Sequence, residues 1–214
     1  MPRVSQPSAS RATRRRARTR AALIEAAREI FAERGVEGAT IQEITDAADV
    51  AKGSFYNHFD SRADLQRAVA EAVLEELGAA LDRDVEHRES DPARVIAASL
   101  LSTLHTCLED PALGRFIVRN GDVMEIGAAI GARGRRDLTR GVKVGRFHFG
   151  DVDTVLIVLA GAGQALLRAR LRGEVDSRAE PHFLALVLRM LGLAADEAQA
   201  IAAETVATLE RRDR

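Results

Sequence analysis

Helix-start signatures are spaced so closely between Thr40 and Leu65 that this stretch can hold only short helices joined by tight turns. Thr40 and Glu43 form a capping box, in which a hydroxyl and a carboxylate each satisfy an amide left over at a helix start. A helix is therefore predicted from Ile41. Ile41, Ile44 and Ala48 recur at spacings of three and four and make one buried stripe, with Gln42, Glu43 and Asp46 facing outward. The apolar run ends at Asp49, and Val50 is the apolar pivot after the turn. Lys52 to Phe59 predict a second helix of about two turns. Ser61 and Asp64 repeat the capping signature, and Leu65, Val69, Val73 and Leu77 step along one face of a longer helix.

The middle helix mixes small, polar and aromatic residues too densely for a core helix. A helix that enters a major groove needs small residues for close approach and hydrogen-bonding side chains for phosphates and base edges. Lys52, Gly53, Ser54, Tyr56, Asn57 and His58 supply that mixture, while Phe55 and Phe59, four apart, face the other way and anchor the helix.

Together these residues resemble the amino-terminal domain of the TetR family of bacterial transcriptional regulators. Phe31 and Gly35 close a first helix, Thr40 opens the second, Ile44 and Ala48 fill the core, and Lys-Gly-Ser-Phe-Tyr-Asn-His-Phe at 52–59 is similar to the family signature almost position for position. The resemblance covers residues 18–66. It implies phosphate contacts from Thr40, Tyr56, His58 and Arg62 and a groove-facing set of Lys52, Gly53, Ser54 and Asn57. Three positions depart from the family pattern. Asp49 replaces the usual glycine at a left-handed turn residue, which aspartate tolerates better than most. Ala51 replaces a capping serine, a loss of about 1 kcal/mol. Arg62 stands where lysine is commoner and adds a planar fork.

The charge of the reading head is not where a DNA binder usually keeps it. Residues 21–70 carry five basic residues (Arg28, Arg34, Lys52, Arg62 and Arg67) against nine acidic ones. The first twenty residues instead hold seven arginines (3, 11, 14, 15, 16, 18 and 20) and no acid. Residues 1–17 read as a disordered cationic arm that can reach the adjacent minor groove, and Arg16 within it and Arg18 just after it are candidate DNA contacts. The alternative is a solubilising tail. No apolar core follows the arginines, so a targeting peptide is not expected.

With 214 residues, 46% of them hydrophobic, the chain can bury a substantial core as one small and one larger domain. The single cysteine, Cys107, excludes an internal disulfide and fits a cytoplasmic protein. No segment reads as an unbroken membrane span, and no membrane partner is expected. Beyond residue 66 the pattern stays helical, so the fold class is all-α: an N-terminal three-helix helix-turn-helix domain at 18–66 and a larger helical effector-binding and dimerisation domain at 67–212. Asp91-Pro92 and Asp110-Pro111 each place a cap before a proline at the first helical position. Gly127, Gly131 and Gly134 weaken the helix near 122–144. Three more helices follow near 151–172, 178–191 and 195–211, with Gly192 as a stop.

Two of these helices are apolar on more than one face and so need burial on two sides. A two-fold four-helix bundle between two chains would provide it, through Val155, Leu159, Gly163 and Leu166 on one helix and Leu184, Val187, Leu188 and Leu191 on the other. The resemblance implies the same homodimer, which would read a pseudo-palindromic double-stranded operator. It also implies an effector pocket in the middle helices. The candidate lining is Leu104, His105, Leu108, Phe116 and Met124, continued by Ile126, Ile130, Leu159, Gln164 and Phe183, suited to an apolar or amphipathic small molecule. His105 and Cys107, two apart, point different ways on a helix, so no metal is expected, nor any cofactor. An enzyme finds a foothold only in Gly161-Ala-Gly163, a partial nucleotide turn without the strand and helix alternation that would make it useful. A repressor released by an effector, and an architectural DNA binder without one, share the same head.

Overall fold

A computed structural model describes residues 11–84, 91–120 and 123–212, and every regular element among them is a helix. The head comprises α1 (Arg11–Arg34), α2 (Ile41–Ala47), α3 (Lys52–Phe55) and the first turns of α4 (Arg62–Asp84). The larger domain follows as α5 (Pro92–Glu109), α6 (Pro111–Asn120), α7 (Val123–Lys143), α8 (Val152–Leu171), α9 (Ala179–Met190) and α10 (Ala195–Arg212).

The capping chemistry sets most of the helix starts. Thr40 accepts from the Glu43 amide while the Glu43 carboxylate accepts from the Thr40 amide, so the capping box is complete. Ser61 accepts from the Asp64 amide, but the Asp64 carboxylate reaches back to the amide of Asp60 rather than of Ser61. Asp91 caps α5 through the Ala93 amide, Asp110 caps α6 through the amides of Ala112 and Leu113, and Asp151 caps α8 through the Thr154 amide. Asp49 adopts φ 52°, the left-handed turn that its position predicts. Gly192, at φ 103°, ends the α9 turn.

Three boundaries differ from the sequence reading. Residues 11–17, expected as part of a disordered arm, form the first turns of α1; arginine, alanine and threonine without glycine or proline let the helix run upstream of Arg18. Residues 1–10, including Arg3, lie outside the described residues. The reading helix starts at Lys52 as expected but is four residues long rather than two turns, because after Phe55 the chain closes tight turns, with the amides of Asn57 and His58 bonded to the carbonyls of Ser54 and Phe55. The boundary at 66/67 falls inside α4, which runs without a break from the head into the larger domain.

One core joins both parts. Leu23, Ala27 and Phe31 of α1, Ile44 of α2 and Phe55 of α3 are fully buried with Leu65, Val69, Val73 and Leu77 of α4. α1 packs along α6, and Phe31 meets Phe116 with ring centroids 6.5 Å apart. Beside that contact Arg28, nearly buried, binds three carboxylates: Glu25 at 2.8 Å, Glu76 of α4 at 2.9 Å and Asp110, the α6 cap, at 2.9 Å. Burial opposes the charge on Arg28, and its hydrogen bond to Glu25 together with the fields of the three acids outweighs that penalty, so its pKa is raised. α5 runs through the middle of the larger domain and packs against α4 and α6 to α10. Arg146 closes the far side with a fork on Asp91 at 2.8 and 3.0 Å and a second bond to Glu197 of α10 at 2.9 Å.

Candidate nucleic-acid interface

α3 stands in relief on the head. Phe55 and Phe59 are buried beneath it, with centroids 5.7 Å apart, and Tyr56 packs edge-on against Phe55. On the outer side Lys52, Gly53, Tyr56 and Asn57 are exposed and Ser54 and His58 half-buried, so the six expected residues share one region. Tyr56, at 56% exposure, is held by its ring contact while the hydroxyl end is free to meet a polar partner. An added Cβ on Gly53 would meet nothing within 4 Å, so this glycine leaves room in front of the helix rather than fitting against the chain itself.

The other expected contacts are placed differently. Thr40 is exposed at the start of α2, with its hydroxyl bound to Glu43. The fork of Arg62 donates to the Ala39 carbonyl at 2.9 Å and pairs with Glu37 at 3.2 Å, which fixes the loop leading into Thr40. The guanidinium expected to meet a phosphate thus also supports the loop that carries Thr40. Arg18 is exposed on α1. Arg16, also exposed, donates to the Asn57 carbonyl at 2.9 Å, and Arg20 lies over the Phe59 ring at 5.2 Å from its centroid. Burial, then the charges of Arg16 and Arg20, hold the His58 imidazole below its ordinary pKa.

In the larger domain the residues expected to line a pocket differ in burial. Leu104, Phe116 and Leu159 are buried, Leu108 and Phe183 half-buried, and the side chains of Met124, Ile126 and Ile130 lie outside the described ones. Gln164 donates to the Ile117 carbonyl at 3.0 Å. His105 Nε2 lies 3.0 Å from Glu180, a buried carboxylate whose other oxygen pairs with Arg170 at 3.3 Å. The polar ends of both Gln164 and His105 are thus engaged within the chain.

The faces of α8 and α9 also need correcting. Val155, Leu159, Leu184, Val187, Leu188 and Leu191 are buried in the chain's own core, with Gly163 and Leu166 half-buried. The sides left open carry Ile157, Val158, Leu186 and Met190. α8 is also long and apolar enough to cross a membrane, which the sequence reading had not expected of any segment.

Residues 23–69 match the family described as bacterial regulatory proteins, tetR family, and residues 91–204 match the tetracyclin repressor-like C-terminal domain. The chain belongs to the TetR family. This TetR-family chain is similar to the solved structure of RolR in complex with the ligand resorcinol, with 38% identity and a TM-score of 0.70 over 88% of this chain and 95% of RolR. DhaR, a transcriptional repressor of Mycobacterium sp. strain GP1, is 35% identical over 85 residues, 38% of this chain and 43% of DhaR. KstR2, a repressor of Rhodococcus jostii strain RHA1, is 38% identical over 58 residues, 27% of this chain and 28% of KstR2. The chain therefore spans less than half the length of these two repressors, whereas it spans nearly all of RolR. The family is one of regulators rather than enzymes.

Sequence reasoning missed Arg28, Glu180 and the open side of α8 and α9. Glu180 carried a signal, since a carboxylate in the first turn of an otherwise apolar helix is placed to favour the helix dipole and to need a partner once buried. Arg28 carried only its i,i+3 pairing with Glu25 on α1, because Glu76 and Asp110 come from other segments.

Proposed function

We propose that this chain is a homodimeric transcriptional repressor, cytoplasmic, whose two heads occupy successive major grooves of a pseudo-palindromic operator and whose larger domain binds a small effector that releases it. The observation that carries the reading is α3, with its aromatic back buried and Lys52, Gly53, Tyr56 and Asn57 exposed in front. In this reading Tyr56, His58 and Thr40 meet phosphates and set register, whereas Lys52, Gly53, Ser54 and Asn57 face base edges. Arg18 adds a phosphate contact from α1. The two-fold arrangement is supported by the uncovered apolar sides of α8 and α9, which a second copy would close into a four-helix bundle.

Similarity to RolR over 95% of its length supports an effector like the one in that structure, a small hydroxylated aromatic such as resorcinol. The test is selection of bound duplexes from a random DNA library at near-physiological salt, followed by titration of the selected complex with resorcinol. A two-fold symmetric motif and its release by resorcinol are the expected results. Enrichment without release by this or related phenols would favour an architectural binder, and no enrichment would refute the reading head. Within an enriched site, Tyr56→Phe should weaken all sequences alike, and Asn57→Ala should change base preference.

A further inference from the structure

A four-residue helix cannot hold itself. Nucleating a first turn fixes several dihedrals for one hydrogen bond, Ala51 gives no cap, and Gly53 adds backbone freedom. Phe55 and Phe59 secure α3 from below, and the Val50 amide ties the preceding turn to the Thr45 carbonyl at 2.9 Å. At its carboxyl end the chain turns instead of continuing as helix: the Asn57 amide bonds the Ser54 carbonyl, the amides of His58 and Phe59 bond that of Phe55, and the Asn57 carbonyl lies just beyond. Arg16 and Arg20 sit at that end. They are four apart on one face of α1, which brings both to the segment after α3. Arg16 donates to the Asn57 carbonyl, and Arg20 covers the ring of Phe59, which in turn packs on Phe55. Arg14, Arg15 and Arg18, exposed on the same helix, have no ion pair among the described residues.

We propose that Arg16 and Arg20 are positioning residues that preorganise the recognition helix, and that phosphate binding by the start of α1 falls to Arg14, Arg15 and Arg18. Asn57 and His58, two of the side chains assigned to DNA, lie in the segment so held, which links the stiffness of this clamp to affinity. The proposal rests on the DNA-reading assignment only for its effect on binding; the clamp itself is testable in the free protein.

In the full-length protein without DNA, Arg16→Ala should reduce amide exchange protection over residues 57–59 by about 3- to 10-fold, the loss of one exposed hydrogen bond. Arg16→Ala and Arg20→Ala should each raise the His58 pKa followed by NMR, and Arg14→Ala should leave the exchange unchanged. Unchanged exchange in Arg16→Ala, or an equal change in Arg14→Ala, would overturn the clamp. On the selected duplex, Arg16→Ala should lower affinity about tenfold to a hundredfold over two heads, with the salt slope of the wild type. A slope shallower by about two, one phosphate for each head, would make Arg16 a phosphate contact and overturn the positioning role. If the wild type selects no duplex, the DNA reading fails while the exchange and titration results still decide the clamp.

Discussion

Leu186→Ala tests where two copies meet. Leu186 is the most exposed large apolar side chain on α9, at 65%, with Met190 at 38% one turn on, and α8 has its own open apolar side at Ile157, 52%, and Val158, 46%. Covering the exposed part of one leucine side chain is worth about 1–2 kcal/mol, and a two-fold axis counts it twice. Truncation should therefore remove about 2–4 kcal/mol from association and raise the dimer dissociation constant by about 30- to 700-fold. Sedimentation equilibrium over a wide concentration range measures that constant, and circular dichroism checks that the helices are intact. Leu188→Ala is the control, since Leu188 is fully buried in the chain's own core and its truncation should cost the fold about 2–5 kcal/mol. A dissociation constant for Leu186→Ala within about threefold of wild type, under conditions where wild type is dimeric, would refute the assignment of this face.

Other expectations follow from the interior and from the head. Arg28→Ala leaves Glu25, Glu76 and Asp110 without their common cation; because these acids are partly exposed, the cost should be about 2 kcal/mol, a fall of about 4–8 °C in Tm by calorimetry, and no change in Tm would remove Arg28 as a tie between α1 and α6. Burial, with the charges of Glu76 and Asp110, pushes the Cys107 thiol up to about 12, so a thiol reagent at pH 8 should label the native chain negligibly and the unfolded chain fully; rapid native labelling would contradict the burial. Hydrogen bonds from Arg34 and then from the Thr40 hydroxyl and amide lower Glu43 from 4.5 to about 2. Its folded pKa is depressed, so the stability it contributes is present above 4.5 and lost as pH falls toward 2, and a carboxyl NMR titration with a midpoint near 4.5 would show that the capping box does not persist in solution.

What was legible in the sequence was chemistry completed within a few residues. Thr40 with Glu43, Asp91 and Asp110 before their prolines, and Asp49 in its left-handed turn each act through backbone groups no more than four positions away, so spacing alone carries them. Phe55 and Phe59 were legible for the same reason, since a gap of four decides which side of a helical turn they share. The length of α3 was not, because the pattern that places two phenylalanines inward is the same whether the chain continues as helix or turns after Phe55. The open sides of α8 and α9 were hidden by excess signal: apolar residues lie on both faces of each helix, and a periodicity argument cannot rank two apolar faces. The ranking comes from tertiary neighbours, α5, α6 and α7 for α8 and α5 and α10 for α9, which cover one side of each helix and leave Ile157 and Leu186 outside. Arg16 shows the same dependence most plainly. As sequence it is one of seven arginines in a basic stretch, indistinguishable from a phosphate contact; only when α1 extends upstream and crosses the end of α3 does its guanidinium find the Asn57 carbonyl. Charge composition thus predicts that such a segment will meet DNA, but the tertiary path of the helix decides which of its arginines are left to do so.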